Sequence, residues 1–262
     1  MKKLSSSKIL NLHQPFLKRN YQKRLHIHET GFGGESGIRA TVFGGTGFLG
    51  KMVAGVLGQY GSDLLFPVVY PDWYDDKFRE LRLATLSGKS AILENFNFED
   101  QRLIERTMKT SNVVVNVLGP RNDIKYRKDF EYVNIELPRR IAKAVAANPE
   151  IKRFIHLSAA AAHPNSPSLD FQTKYIGEQV VREICPEVTI LRPTVMFGEM
   201  DKFAEHIISQ RYHYYRFNIV YDDCMALKQP ILVQDVATSI FNALKMDESI
   251  GQTYDLGIHL LM

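Results

Sequence analysis

TVFGGTGFLGK, residues Thr41 to Lys51, puts four glycines into eleven residues directly after the apolar run that begins at Ile38. Gly44, Gly47 and Gly50 form a GxxGxxG pattern, and its setting gives it meaning. IRATVFG reads as a buried strand. The following FLGKMVAGVLGQY places Phe48, Leu49, Met52, Val53, Val56, Leu57 and Tyr60 on one helical stripe, closed by Gly61. The chain therefore turns from strand to helix on glycines. In such a turn Gly44 permits the tight bend, Gly47 lets backbone approach a pyrophosphate, and Gly50 lets the helix pack close to the sheet. Free amides at the helix start, from Gly47 to Leu49, face an anion with the positive end of the helix dipole behind them. A bare turn with nothing bound is the bland alternative; a dinucleotide explains all three glycines.

Beyond the loop the same alternation continues. DLLFPVVY is a second strand, with Pro67 demanding a bulge or an edge. AILENFN is a third, followed by a helix over FEDQRLIERTMKTS. NVVVNVLG is a fourth, followed by a long helix over EYVNIELPRRIAKAVAAN with Leu137, Ile141, Ala144 and Val145 facing inward. KRFIHLSA is a fifth, a helix runs through KYIGEQVVREI, and VTILRPTVMFG is a sixth. Apolar strands joined by helical crossovers give a parallel sheet covered on both faces, so the expected class is α/β, a doubly wound Rossmann-type sheet spanning 38–197. Residues 198–262 read as a small mixed α/β lobe over the carboxyl edge of the sheet. It holds a helix in DKFAEHIISQRY, a strand in QPILV, a helix capped by Asp235 and a last strand in QTYDLG. Residues 1–37 read as a basic arm ending in the flexible GFGGESG hinge.

Composition excludes several classes. The net charge of +4 and the lack of a basic stripe interleaved with aromatics argue against nucleic acid. Cys185 and Cys224 have no partner at metal spacing and read as plain thiols in a reducing compartment, so no metal site is expected. No apolar run is long enough for a spanning helix. Charge is concentrated in the arm: residues 1–28 hold seven Lys or Arg and no acid. That resembles a mitochondrial presequence, or a solvated basic tail. Because the chain starts at Met1, the segment is expected to be a retained arm that addresses the protein and touches a partner.

Which dinucleotide is bound turns on the end of the second strand, where an acid selects NAD and an Arg admits a 2′-phosphate. FPVVYPDW has neither at Val68, Val69 or Tyr70; Asp72 is late and Lys51 is the nearest cation. The residues leave NAD and NADP as alternatives.

Taken in order, TVFGGTGFLG, SNVVVNVLG, RFIHLSA, KYIGEQVVRE, RPTVMFGEMDKF and KQPILVQDV resemble atypical short-chain dehydrogenase/reductases. More narrowly, GFGGESGIRATVFGGTGFLGK is similar to the family of nucleotide-binding accessory subunits of mitochondrial complex I, NADH:ubiquinone oxidoreductase. The resemblance spans roughly residues 31 to 258. It implies that Gly44, Thr46, Gly47, Phe48 and Leu49 cradle the pyrophosphate, that Asn97 and Phe98 lie by the adenine, and that Leu118 and Gly119 border the ribose. It further implies cofactor contacts from Ser158, which ends the fifth strand, from Lys174, which reaches the nicotinamide ribose, and from Pro193 and Thr194, which follow the sixth strand. NADPH is the implied cofactor, with NADH as the alternative. The implied partners are other subunits of respiratory complex I, on the matrix side of the inner membrane of the mitochondrion. There the family braces the junction of matrix and membrane arms, with peripheral contact to the membrane arm. Two features depart from the pattern: the basic residue expected after the second strand is absent, and the chain ends at Met262, before the longer C-terminal region the family would lay against the membrane arm.

Active members of the superfamily carry Tyr-x-x-x-Lys on the helix after the fifth strand, the Tyr exchanging a proton at the substrate oxygen and the Lys lowering its pKa. Here DFQTKYIGE keeps Lys174 but has Asp170 four residues earlier. A carboxylate beside a lysine is ionised and has no proton for a carbonyl. Tyr175 sits about 100° round the helix from Lys174 and does not substitute. Ser158 supplies a hydroxyl but no relay, and is equally a hydrogen-bonded strand end. His156 alternates with core residues and reads as an interior histidine, while His163 reads as a solvated loop residue. The expectation is an accessory subunit that binds a nucleotide tightly without catalytic residues. The alternatives are an active NAD(P)-dependent atypical reductase or epimerase, and a sensor whose nucleotide state alters partner binding.

Overall fold

The computed structural model describes residues 36–69, 81, 90–120, 125–199, 201 and 229–257. β1 (Arg39–Phe43) runs into the glycine loop and α1 (Phe48–Gln59) leaves it. β2 (Asp63–Pro67), β3 (Ser90–Leu93), α2 (Gln101–Thr107) and β4 (Val113–Asn116) follow. Next come α3 (Arg127–Glu131), a π-helical stretch (Tyr132–Glu136), α4 (Leu137–Ala147), β5 (Arg153–Leu157) and α5 (Leu169–Ile184). The chain continues through β6 (Thr189–Pro193), β7 (Met196–Phe197), β8 (Ile231–Leu232), α6 (Val233–Lys245) and β9 (Thr253–Leu256).

Seven strands form one sheet in the order β3-β2-β1-β4-β5-β6-β9, and every pairing in it is parallel. The doubly wound expectation is met. The order reverses between β1 and β4, which opens a crevice at their carboxyl ends where such sheets take their ligands. Both faces are covered, which is why Val113, Val114 and Val115 are all fully buried without alternation. Ile38, Ala40 and Val42 pack on one face with Val53 and Leu57 of α1 and Val236 and Ile240 of α6. Phe43, Val114, Phe154 and Ile190 pack on the other with Ile141 of α4 and Val181 of α5. Pro67 ends β2, beyond the β1 register, so no ladder bond is broken.

Three expectations change. VTILRPTVMFG is two strands, not one. β6 ends at Pro193, and after Thr194 and Val195 the chain leaves the sheet so that β7 pairs β8 in a separate two-stranded sheet. Asp235 does not cap its helix. The cap is Leu232, which makes no side-chain bond, and Asp235 lies in the first turn, where its charge meets the helix dipole. The last strand joins the main sheet beside β6, and α6 packs on α1 with the Tyr60 and Phe241 rings stacked 3.9 Å apart. Residues 229–257 thus share the core of the seven-stranded sheet. Residues 1–35, the helix expected in DKFAEHIISQRY, Asp72 and Cys224 lie outside the described residues.

The long helix after β4 is interrupted, and the sequence contains the cause. Pro138 has no N–H to give the carbonyl four residues back, that of Asn134. The turn widens into the π-helical stretch Tyr132–Glu136. The freed Asn134 carbonyl presses on α5 at Gly177, where an added Cβ would stand 2.0 Å from it.

Candidate functional site

The glycine loop leaves β1 through Gly44 at φ +90, a conformation that side chains disfavour. A Cβ there would also strike the Val117 backbone at 2.9 Å. Gly47 N donates to Gly44 O at 3.0 Å and closes the turn. Gly50 allows the closest approach, since a Cβ on it would lie 2.1 Å from Gly44 O. Gly47 is exposed and caps α1 without any side-chain bond, and no acid stands in the first turn. The first amides of α1 thus lack a side-chain acceptor from the cap, and the dipole favours an anion there. Thr46 and Phe48 are half-buried beside them, and Leu49 faces the core. Gly45 was not singled out from the sequence, yet Phe66 of β2 lies where its Cβ would be, at 2.4 Å.

Across the crevice, Leu118 and Gly119 follow β4. Leu118 N donates to Asn116 Oδ1 at 3.2 Å, and Gly119 has open space where a Cβ would stand. At the third-strand end, Asn97 is exposed and its Oδ1 accepts from Glu99 N at 2.9 Å. The Phe98 ring packs in the core against Phe43 and Phe96, and its carbonyl accepts from Arg140 Nη1 at 3.1 Å. Arg140 also donates to Glu99 O at 3.0 Å, and Tyr132 donates to Glu99 Oε1 at 2.6 Å. This network pins the loop that carries Asn97. Burial first, then the Glu99 hydrogen bond, pushes the Tyr132 phenol up to about 12.

The far end gathers the chemistry. Ser158 follows β5 and Thr194 follows β6; both hydroxyls are buried, and neither has a hydrogen-bond partner among the described residues. Their backbones are fixed, Ser158 N donating to Leu191 O at 2.8 Å and Thr194 N to Leu256 O at 2.9 Å. Pro193 carries the register between them by pairing with Leu256 and accepting from Ala160 N at 2.9 Å. A buried hydroxyl without a partner is costly, so two at the carboxyl edge fit a ligand that supplies the missing bonds.

Lys174 Nζ lies 2.7 Å from Asp170 Oδ2, both side chains about four-fifths buried at 20% and 23% exposure. Asn134 Nδ2 donates to Asp170 Oδ1 at 2.9 Å and to Thr173 Oγ1 at 2.9 Å, so the carboxylate is held from two sides. Asn134 is the residue that sequence reasoning missed. Its signal was the proline four residues on, which frees its carbonyl and turns this stretch onto α5. His156 is buried beside this pair on β5, with Asn116 opposite in register. Asn116 Oδ1 accepts from Leu118 N, so Nδ2 donates to His156 Nδ1 at 3.0 Å and the imidazole proton belongs on Nε2. Burial, and next the Lys174 charge, lowers the His156 pKa to about 4. His163 is exposed, its Nδ1 accepting from Asn165 N.

The glycine cradle, the uncapped helix and the two orphaned hydroxyls lie along the carboxyl ends of β1, β4, β5 and β6, the line a dinucleotide occupies in sheets of this topology. A family model for NAD dependent epimerase/dehydratases matches residues 40–257. The chain belongs to that family. Within it, the chain is 37% identical over 219 residues to the NADH dehydrogenase [ubiquinone] 1 alpha subcomplex subunit 9, mitochondrial, of Mus musculus, an alignment covering 84% of this chain and 56% of that protein. It is likewise 37% identical over 221 residues to the mitochondrial NADH-ubiquinone oxidoreductase 40 kDa subunit of Neurospora crassa, covering 84% and 56%. The chain thus spans little more than half the length of these relatives. Among solved structures, UDP-glucuronic acid 4-epimerase from Bacillus cereus in complex with NAD shares the fold at a TM-score of 0.70 and 16% identity, covering 84% of this chain and 78% of that one. Among the described residues no helix is long and apolar enough to cross a membrane, and no cluster of His, Cys, Asp or Glu is placed to hold a metal.

Proposed function

We propose that this chain is an accessory subunit of mitochondrial respiratory complex I that holds a nicotinamide dinucleotide without turning it over. The nucleotide is NADPH, with NADH as the alternative. The subunit sits on the matrix side of the inner membrane, bracing the junction of matrix and membrane arms and touching the latter only peripherally. Similarity to complex I subunits over 84% of the chain supports the assembly. In the nucleotide reading, Gly44, Thr46, Gly47, Phe48 and Leu49 hold the diphosphate, the loop carrying Asn97 and Phe98 borders the adenine, and Leu118 and Gly119 border a ribose. Ser158, Pro193, Thr194 and Lys174 enclose the nicotinamide end. A bound nicotinamide would supply a carbon that gives or takes a hydride.

The single observation that carries the non-catalytic reading is the 2.7 Å pair of Lys174 with Asp170. Where active relatives present a phenol to the substrate oxygen, this helix presents a carboxylate already committed to the lysine and to Asn134. Reduction of a carbonyl needs a proton delivered with the hydride, and losing that donor typically forfeits a factor of about 10² to 10⁴. The second reading, an active reductase or epimerase, has one observation in its favour: the unpartnered Ser158 hydroxyl, poised to bond a substrate oxygen.

Native protein extracted in mild detergent separates them. Under this proposal it comigrates with complex I and releases one nicotinamide dinucleotide, identified by mass spectrometry. Migration as a free monomer absent from complex I sinks the assembly reading. Steady-state turnover by the purified wild-type protein would sink the non-catalytic one, whether or not it survives Lys174→Met.

A further inference from the structure

The Asp170–Lys174 pair bears on more than proton supply, because nicotinamide is charged in one redox form only. The oxidised ring is a cation and the reduced ring is neutral, so the net charge of the surrounding wall discriminates between them. Lys174 alone would make that wall cationic and disfavour the oxidised ring. Asp170 cancels it at 2.7 Å, and the cancellation is held in place, since Asn134 Nδ2 donates to the other carboxylate oxygen at 2.9 Å. Among the described residues, the charge of Arg192 near these strand ends is also compensated. Arg192 of β6 pairs with Glu178 of α5, Nε to Oε1 at 2.9 Å and Nη2 to Oε2 at 2.5 Å, with Asp255 of β9 at 4.0 Å. His156 is neutral at physiological pH because burial and the Lys174 charge depress its pKa to about 4.

We propose that Asp170 sets the redox preference of the crevice: by neutralising Lys174 it removes the penalty that an uncompensated lysine would place on the oxidised ring, so that the affinities for the oxidised and reduced nucleotide stay close. This rests on the nucleotide reading above, with the nicotinamide end beside Lys174. The residue that stands in place of the proton donor thereby also sets how far the site distinguishes the two forms of the nucleotide. In this respect the site differs from that of an enzyme with a neutral phenol at the same helical position.

The test is the ratio of dissociation constants, oxidised over reduced, for NADP⁺ against NADPH and NAD⁺ against NADH, measured by calorimetry on the full chain. Asp170→Asn keeps an acceptor for Asn134 and removes the charge; it is expected to raise the ratio about tenfold. Lys174→Met leaves the carboxylate unopposed and is expected to lower the ratio by a similar factor, giving a second variant of opposite sign should the first fold poorly. Ratios within twofold of the wild type in the folded variants overturn the inference while leaving nucleotide binding intact. Failure of the wild-type chain to bind any of the four overturns the nucleotide reading and this inference together.

Discussion

Gly50 shows how little room a single residue leaves. A methyl there would stand 2.1 Å from the Gly44 carbonyl oxygen and 2.7 Å from Gly45 Cα, both backbone atoms that cannot rotate away. Gly50→Ala is therefore expected to lower stability by about 3 kcal/mol, at the upper end of overpacking costs, read as a fall in the urea midpoint with the slope unchanged. A cost below about 0.5 kcal/mol would mean that the loop relaxes and the close packing of α1 is not essential. This role was legible in the sequence, because glycines so spaced between a strand and a helix point to backbone packed closely on backbone. Burial of His156 was legible too, from its alternation with core residues, but its consequence for pH was not, since that depends on how completely the fold encloses the ring and on Lys174, which a separate helix brings near it. The folded pKa is near 4, below the value of about 6.5 in an unfolded chain. The unfolded chain therefore takes up a proton first, and stability present above pH 6.5 is lost as pH falls toward 4, by about 3 kcal/mol. His156→Gln keeps a polar contact for Asn116 and removes the titration. The stability difference between wild type and variant should shift toward the variant across that window; a difference independent of pH would show that His156 is protonated in the fold.

Elements were legible wherever one chain segment decides its own structure, and less so where a distant segment decides. α1, α4 and α5 show their apolar stripes plainly. The division of VTILRPTVMFG and the incorporation of β9 into the main sheet were hidden, because both depend on strands more than thirty residues away, β8 and β9, offering their edges. Arg153 belongs to the same class. From the sequence it is a charged first residue of a strand, yet it is only 3% exposed and caps the far end of α6. Its guanidinium donates to Met246 O at 2.9 Å and also to Ala243 O, while Leu244 O accepts at 3.4 Å. These are the carbonyls a helix C-terminus leaves without intrahelical partners. Burial lowers the Arg153 pKa, and the Asp247 carboxylate opposes that shift. Ser249 also donates to the Ala243 and Met246 carbonyls, so Arg153→Leu would leave these two to Ser249 alone and take the guanidinium from Leu244 O, at an expected cost of about 2 kcal/mol. Hydrogen exchange should locate the damage: amides of α6 lose protection while those of β1 and β4 change less. Uniform loss of protection would mean that α6 does not open as a unit.

At the scale of the whole molecule, stability and ligand are linked. Anything that binds the folded crevice and not the unfolded chain stabilises the fold, by about 2.7 kcal/mol at a hundred times its dissociation constant. For a chain of this size that is a rise in Tm of about 5 to 10 °C. A thermal shift alone would not locate the ligand, and Gly47 supplies the control. It is exposed, and a Cβ on it would meet only Gly44 O, at 3.2 Å, a contact the turn can relieve by a few tenths of an ångström. Gly47→Ala should therefore leave the Tm of the ligand-free protein within about 2 °C of wild type, in contrast to Gly50→Ala, since surface changes of this kind cost little. What the methyl occupies is the approach to the first amides of α1, where a diphosphate must come within hydrogen-bond distance of backbone. The variant is expected to lose most of the Tm rise on adding NADPH, the concentration required for a half-maximal shift moving up at least tenfold. An undiminished rise would place the nucleotide elsewhere and return the glycine loop to a tight turn that binds nothing. The contrast between two alanines three residues apart separates what the loop does for the sheet from what it does for a phosphate.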